Sequence, residues 1–253
     1  MKHLLAGFVA TWAALFTLFA GAITYGQPDG ERHAQTGDLV GNFSSGMFPY
    51  CSGALISPTV FVTAAHCELG NMRVMVTFDE KPGSGPFTVR HGTYFADPLY
   101  RSRRDDPHDL AVVVLDEPVL GITPARLPTA GLLDSLSKDQ QITAAGYGGQ
   151  EPVIVQGSGV VIAYQDNREY AVGTLNAINP AWLRVSQNPA KGDAGGCYGD
   201  SGGPNFLGGG SQETNILAAI TITGDYVCRA TNVVYRLDTP SARTFLGKFV
   251  TLP

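Results

Sequence analysis

Gly199-Asp200-Ser201-Gly202-Gly203-Pro204 sets one serine between glycines, with an acid directly before it and a proline closing the stretch. Glycine on both sides removes Cβ atoms where an outside group has to come close, so the segment reads as a backbone shaped for tight approach to the serine. A serine hydroxyl is a weak nucleophile at neutral pH and needs a base to take its proton. Two further segments carry groups suited to that task. In Thr63-Ala64-Ala65-His66-Cys67 a histidine closes an apolar run and is followed by a cysteine. In His108-Asp109-Leu110-Ala111-Val112-Val113-Val114-Leu115 an acid stands at the mouth of a strand apolar enough to be interior, and a carboxylate beside such a core requires a dedicated partner. Each segment has an ordinary structural reading when taken alone. Together they meet the needs of nucleophilic acyl transfer: a serine, a histidine to remove its proton, and an acid to fix the imidazole tautomer and stabilise its charge.

Chain order selects the scaffold. Gly199 to Gly203 satisfies G-x-S-x-G, the nucleophile elbow of α/β-hydrolases, but that arrangement needs a histidine after the serine and none follows His108. His91-Gly92-Thr93 resembles the histidine segment of subtilisins, yet no Gly-Thr-Ser serine segment follows it. The order that survives is His66, Asp109, Ser201.

The rest of the chain is built of short pieces. Apolar runs at residues 53–56, 60–65, 72–78, 110–115, 153–164, 216–222 and 233–237 are rich in β-branched and aromatic residues, and turn formers such as Ser57-Pro58-Thr59 and Lys81-Pro82-Gly83 separate them. The 31 glycines and 16 prolines follow no fixed period and there are no internal repeats, so the pattern predicts an all-β protein. Only residues 241–250 space Ala242, Phe245, Leu246 and Phe249 in a way that suits a helix, with Thr239, Pro240 and Ser241 at its start. About 230 residues of short antiparallel strands exceed one small barrel and suit two packed ones. Seventeen basic residues against 22 acidic ones, net −5 with no basic block, argue against nucleic-acid binding.

Met1-Lys2-His3 carries positive charge, residues 4–20 are uncharged, and Ala20-Gly21-Ala22 offers small residues for cleavage, so residues 1–22 read as a signal peptide. The rival reading is one membrane anchor; the small-residue exit and the polar Gln27-Pro28-Asp29-Gly30 beyond it favour cleavage. Losing Lys2 leaves 16 basic residues against 22 acidic, net −6, with all four cysteines retained. Export permits disulfides. Four cysteines allow three pairings, and with no C-x-x-C pair we expect no metal site. No cofactor is expected.

On these motifs the chain resembles the secreted trypsin/chymotrypsin-type serine proteases from Ile23 to its C-terminus. Cys51-Ser52-Gly53 through Thr63-Ala64-Ala65-His66-Cys67 is similar to that family's histidine segment and Asp109-Leu110-Ala111 to its acid segment. Ala145-Gly146-Tyr147-Gly148 is similar to its Gly-Trp-Gly, with Tyr for Trp, and Gly199 to Pro204 to its serine segment. The resemblance implies two packed six-stranded antiparallel β-barrels over roughly residues 23–130 and 131–240, with a short C-terminal helix over roughly 241–250. It places His66 and Asp109 in the first barrel and Ser201 in the second. It further implies an oxyanion hole from the N–H groups of Gly199 and Ser201, and disulfides Cys51–Cys67 and Cys197–Cys228. Ile23-Thr24-Tyr25-Gly26 is similar to the family's activated N-terminus, whose ammonium pairs with the acid before the serine, here Asp200. Because Ile23 follows the cleavage signal directly, the expectation is a protein exported already active.

The resemblance also marks departures. Gly195 occupies the base of the primary substrate pocket where a trypsin has Asp; Gly196 is equally featureless and Asp193 lies two residues too early. Val233 stands where the family often has a pocket-wall glycine, which favours small or medium apolar side chains over Lys or Arg. Ile222-Thr223-Gly224 replaces Ser-Trp-Gly: Gly224 keeps the backbone for pairing an extended substrate, but the aromatic platform and the serine that supports the acid are missing. The implied function is secreted, extracellular hydrolysis of protein or peptide substrates by a monomer without a membrane anchor. Two alternatives remain open: a silent relative that binds a partner through its cleft, and an esterase-like acyl hydrolase. Residues 101–106 read as a solvated mixed-charge loop and His33 as a surface residue.

Overall fold

The structure is a computed structural model that describes residues 23–44, 46–101, 105–157, 159–164 and 167–253, so the expected signal peptide over residues 1–22 lies outside the described residues. Fifteen strands and one α-helix are described: β1 (Gln27–Pro28), β2 (Thr36–Phe43), β3 (Gly46–Ser57), β4 (Val60–Thr63), β5 (Arg73–Thr77), β6 (Arg90–Ala96), β7 (Ala111–Leu115), β8 (Gln141–Gly146), β9 (Val153–Val155), β10 (Gly159–Val161), β11 (Glu169–Ile178), β12 (Trp182–Ser186), β13 (Pro204–Leu207), β14 (Leu217–Gly224), β15 (Thr231–Arg236) and α1 (Pro240–Leu246). The all-β, two-barrel expectation holds. β2-β3-β4-β7-β6-β5 closes as the first six-stranded barrel, β5 returning to β2. In the second, β11-β12-β15-β14-β13-β8 closes through pairing of β8 with β11. Every pairing between these strands is antiparallel, as the short hairpin connections allow.

Residues 23–28 precede the first barrel in sequence but belong to the second in space. β1 pairs with the start of β11, Gln27 opposite Tyr170 and Pro28 opposite Glu169. A boundary drawn near residue 130 therefore misses one exchange: the N-terminal segment crosses over.

The continuous apolar runs are the strands buried on both faces, as β7 shows with Ala111, Val112 and Val113 wholly buried. One core cluster runs from Leu39, Phe61 and Val113 through Ala145 and Phe206 to Tyr235, Phe245 and Leu246, joining both barrels to the helix. Burial of each such side chain contributes roughly 1.5–3 kcal/mol. α1 starts where Thr239 Oγ1 accepts the Ala242 N–H and Pro240 takes the first turn. It ends at Leu246, short of the expected 250; Phe249 nevertheless packs at 5.3 Å from Phe245 and 5.5 Å from Phe95, which accounts for the apolar spacing in the sequence.

Between the barrels the seam is polar and hydrogen-bonded. Fully buried Arg168 donates to Asp29 at 2.7 Å and to the Phe78 carbonyl at 3.0 Å, while the Tyr147 hydroxyl donates to the Asp79 carbonyl at 3.0 Å. Tyr147, the aromatic in the Gly-Tyr-Gly stretch, is thus a strut between barrels.

Candidate active site

β4 and β7 pair with Thr63 opposite Ala111. His66, just beyond β4, and Asp109, just ahead of β7, are therefore delivered at the same end of the first barrel. The chain leaves β4 into a 3-10 turn, Ala65–Cys67, over which the Tyr94 hydroxyl donates to the Ala64 carbonyl at 2.6 Å. Asp109 spends both oxygens on His66: Oδ1 accepts its backbone N–H at 2.9 Å and Oδ2 meets Nδ1 at 2.7 Å. An ionised carboxylate only accepts, so Nδ1 carries the proton and Nε2 is left as the basic nitrogen. Asp109 is nearly buried, whereas a quarter of the His66 side chain is exposed.

His108 fixes the approach to Asp109. Its backbone is left-handed at φ 48°, its Nδ1 lies 3.1 Å from Asp97 Oδ2, and its N–H donates to Asp106 Oδ1 at 3.1 Å. Asp106 also accepts the Tyr235 hydroxyl at 2.8 Å. The 101–106 stretch is therefore not simply a solvated loop: its last acid is a bracket between the acid segment and β15.

The serine segment docks onto β14 on one side, Gly202 N–H donating to the Thr221 carbonyl at 2.7 Å and Thr221 N–H to the Gly203 carbonyl at 2.9 Å. Its other side meets β4. A Cβ on Gly202 (φ +78°) would lie 2.2 Å from Thr63 Oγ1 and 2.7 Å from the Ala64 nitrogen, so only glycine lets Ser201 come this close to the histidine turn. Cys67 Sγ sits 3.8 Å from the Ser201 carbonyl oxygen. Gly199, also left-handed at φ +97°, has its carbonyl held by Ser52 Oγ at 3.1 Å, and that hydroxyl accepts the Tyr147 N–H at 3.1 Å. The structure thus pairs His66 with Asp109 and sets the serine segment against the turn that carries His66. The two expected disulfides, Cys51–Cys67 and Cys197–Cys228, are both formed and brace the histidine turn and the serine segment.

Asp200 is buried. Its Oδ1 accepts the Gly148 N–H and its Oδ2 the Cys197 N–H, each at 2.8 Å. Burial pushes its pKa up to about 7, with the charge of Glu169 adding to the rise and the N–H groups of Cys197, Gly148 and Tyr147 opposing it. Ile23 is fully buried, and its backbone nitrogen, a peptide N–H in the chain that includes Ala22, donates to Glu169 Oε2 at 3.1 Å. β1 sets Pro28 opposite Glu169, which brings that carboxylate beside the N-terminal turn. Glu169 was not singled out by sequence reasoning.

Ser201 opens onto a cavity of about 180 Å³ whose walls include Gly196, Gly224, Asp225 and Asn232. Gly196 and Gly224 lie where the sequence placed them. Gly195 does not line the cavity: it bridges Thr24, and the Gln187 side chain fills the space before it, 2.5 Å from where a Cβ would stand. Val233 does not line the cavity and its neighbour Asn232 does. Asp193 is buried outside the cavity, accepting the Thr174 hydroxyl at 2.9 Å. Asp225 is held on the rim by the N–H groups of Arg229, Ala230 and Thr231 at 3.1, 2.9 and 2.7 Å, which draw its pKa down against the effect of burial.

His33 is a correction. Only 1% exposed, it is clasped by Asp29 at Nδ1 and by Glu213 at Nε2 (2.7 Å) and stacks on Phe206. Burial works against its protonation, but the two carboxylates outweigh it and its pKa is raised.

Comparison with known proteins agrees with this geometry. A family model described as Trypsin matches residues 27–245. The chain is 29% identical over 179 residues to a trypsin of Simulium vittatum, covering 66% of this chain and 69% of the relative. It is 27% identical over 194 residues to a trypsin of Phaedon cochleariae, covering 66% and 68%. With an ovochymase of Halocynthia roretzi it shares 26% identity over 214 residues, 82% of this chain but 13% of that protein.

Proposed function

Because this chain belongs to the trypsin family and is therefore a serine endopeptidase, we propose that it cleaves peptide bonds of exported protein or peptide substrates through His66, Asp109 and Ser201. Ser201 Oγ attacks the scissile carbonyl carbon while His66 Nε2 takes its proton, and Asp109 Oδ2 holds Nδ1 and balances the imidazolium charge. The tetrahedral oxyanion is received by the N–H groups of Gly199 and Ser201, each worth about 3 kcal/mol in the transition state. His66 then gives its proton to the leaving amine. Water enters, loses a proton to His66, and releases the acyl group from Ser201.

The observation that carries this reading is the double engagement of His66 by Asp109, set at the end of β4 against which the serine segment docks. Ile222 has no hydroxyl to add to Asp109, and the backbone bond from His66 offers a substitute anchor for that carboxylate. Primary specificity falls on small or medium apolar side chains. The cavity of about 180 Å³ has glycines at 196 and 224, the amide of Asn232 on its wall, and in Asp225 a carboxylate already engaged by three N–H groups. Such a pocket offers no unsatisfied anion to a Lys or Arg side chain.

Export fits the sequence of residues 1–22 and the two disulfides. Among the described residues no helix is long and apolar enough to cross a membrane. Cleavage after Ala22 would leave Ile23 first, with no further segment to remove before its ammonium reaches the serine segment, and the enzyme would act as a monomer. The test is peptide mapping by mass spectrometry after treatment with a phosphonylating reagent. Modification of Ser201 in protein that starts at Ile23 is expected; folded protein that leaves Ser201 unmodified would refute the reading.

A further inference from the structure

We propose that Asn42 carries an N-linked oligosaccharide, and that this glycan stands at the rim of the cleft and limits which proteins reach Ser201. The inference rests on the reading that the chain is exported.

The chain has nine asparagines, and only Asn42-Phe43-Ser44 has a serine or threonine two residues on with no proline between. That spacing is the acceptor sequence for N-glycosylation, and it is used in chains that enter a secretory pathway. Residues 1–22 read as the signal for that entry, and the two disulfides fit the same compartment. So short a motif recurs by chance, and its place in the fold carries the argument.

Asn42, Phe43 and Ser44 are all exposed at the tip of the β2–β3 hairpin, where Asn42 stands opposite Met47 and Phe43 opposite Gly46. Among the described residues the Asn42 amide has no hydrogen-bond partner. Other asparagines are used by the fold: Asn205 donates to the Gly203 carbonyl at 3.2 Å, Asn215 to the Pro124 carbonyl at 2.9 Å, and Asn188 accepts the Ala190 N–H at 3.0 Å. Met47, directly across from Asn42, is 49% exposed. That face of the hairpin has room for a bulky polar group.

The other face reaches the cleft. Successive side chains on a strand alternate faces, and Phe43 folds back over its own face: a Cβ on Gly41 would lie 2.4 Å from the Phe43 ring. That ring meets Tyr50 edge-on at 6.2 Å. Together with Pro49, Tyr50, Tyr147 and Tyr164, Phe43 lines a cavity of about 290 Å³ that touches the serine segment at Gly199. It shares no lining residue with the cavity onto which Ser201 opens. A glycan on Asn42 is thus anchored one residue from the wall of this second cavity without filling it. A short peptide passes beneath such a group, whereas a whole protein laid across the cleft collides with it.

In the transfer, Asn42 Nδ2 forms a bond to the anomeric carbon of an oligosaccharide carried on a lipid diphosphate. The bond from that carbon to the phosphate oxygen breaks, the lipid diphosphate leaves with the electron pair, and the amide gives up one proton. Nothing is oxidised or reduced, and the Ser44 hydroxyl is the group that marks the acceptor.

The test uses enzyme secreted by eukaryotic cells, with its Asn42→Gln and Ser44→Ala variants. Intact mass is measured before and after a glycan-releasing amidase acts in heavy-oxygen water, and peptide mapping reads position 42. The wild type is expected to be heavier than its sequence, to lose the excess on treatment and to carry labelled Asp at 42; both variants should have the sequence mass. On losing the glycan, kcat/KM should rise severalfold for a whole-protein substrate and stay unchanged for a short peptide ester. Treating the folded wild type separates this from any effect of the glycan on folding, and Ser44→Ala, which keeps a neutral Asn42, separates it from the charge of the new Asp. Secreted wild type with a bare Asn42 overturns the glycan and leaves export standing. A glycosylated Asn42 whose removal changes both substrates equally overturns the rim role. Wild type that stays in the cytosol overturns the export reading and the glycan with it.

Discussion

Gly202→Ala is the substitution that tests the meeting of the two barrels at Ser201. The added methyl would stand 2.2 Å from Thr63 Oγ1, 2.5 Å from the Ser52 carbonyl oxygen and 2.7 Å from the Ala64 nitrogen. Two of these three atoms are backbone and cannot rotate away. The residue also sits at φ +78°, where a side chain adds about 1–2 kcal/mol of strain. Crowding a packed site contributes about 1–3 kcal/mol more, so the substitution should cost roughly 2–5 kcal/mol unless the serine segment moves off β4. Either response disables catalysis: the protein melts earlier, or Ser201 leaves His66 and the burst amplitude falls with kcat/KM. Gly210 supplies the control, since it is left-handed at φ +57° with open space around it. Gly210→Ala should show the strain alone, about 1–2 kcal/mol, with full burst amplitude. Thr63→Ala in the Gly202→Ala background removes the nearest atom but neither backbone contact, so rescue should be partial. The measurements are denaturant unfolding and burst titration on the same preparations. Equal effects of alanine at 202 and 210, with activity intact at both, would refute the argument that close packing at Gly202 places the serine.

Asp109→Asn should lower kcat by about 10⁴-fold, because an amide in place of the Nδ1 acceptor no longer selects the productive tautomer; single-turnover kinetics checks this, and a loss below about tenfold would mean the carboxylate is dispensable. The clasp around His33 predicts a pH window. The raised His33 pKa gives stability complete below its unfolded value of 6.5 and lost as pH climbs through the folded value. Asp29 and Glu213, both lowered, contribute above their ordinary 3.8 and 4.5 and lose that contribution as pH falls. Unfolding free energies of wild type and His33→Phe should therefore differ more near pH 6 than near pH 9, and a difference independent of pH would remove the charge from the explanation. Replacing Cys197 and Cys228 together by serine opens a loop with 31 residues of separation, worth about 4 kcal/mol in the chain-entropy model, against about 3 kcal/mol for Cys51 and Cys67 at a separation of 16; calorimetry of both pairs checks the order.

The legible parts of the site were those whose information is local. His66, Asp109 and Ser201 each sit in a short segment with fixed neighbours, and their order along the chain was enough to choose between scaffolds. Alternating and continuous apolar runs gave the strands. What stayed hidden depended on register or on partners far along the chain. Val233 was expected on the pocket wall and its neighbour Asn232 is there, a one-residue difference set where the pairing of β14 with β15 shifts register between Thr221 and Thr223. His33 lies among Asp29, Glu31 and Arg32, a polar surrounding that reads as surface; burial is tolerated because Glu213 and Phe206 arrive from the second barrel. Glu169 carries no motif at all. Its place is set by the pairing of Pro28 with β11, a contact between residues 141 positions apart.

Those hidden contacts and the legible ones converge on the same six-residue stretch. Gly202 holds it against β4, Thr221 holds it against β14, and Gly195 ties its approach to Thr24 and so to the N-terminus. Asp200 lies between the last two anchors with no side-chain cation among its hydrogen-bond donors Gly148 and Cys197. A backbone held at both ends around a buried acid is rigid only while that acid is satisfied. Gly199 and Ser201 flank Asp200 directly, so whatever satisfies that acid also fixes the two backbone N–H groups beside it.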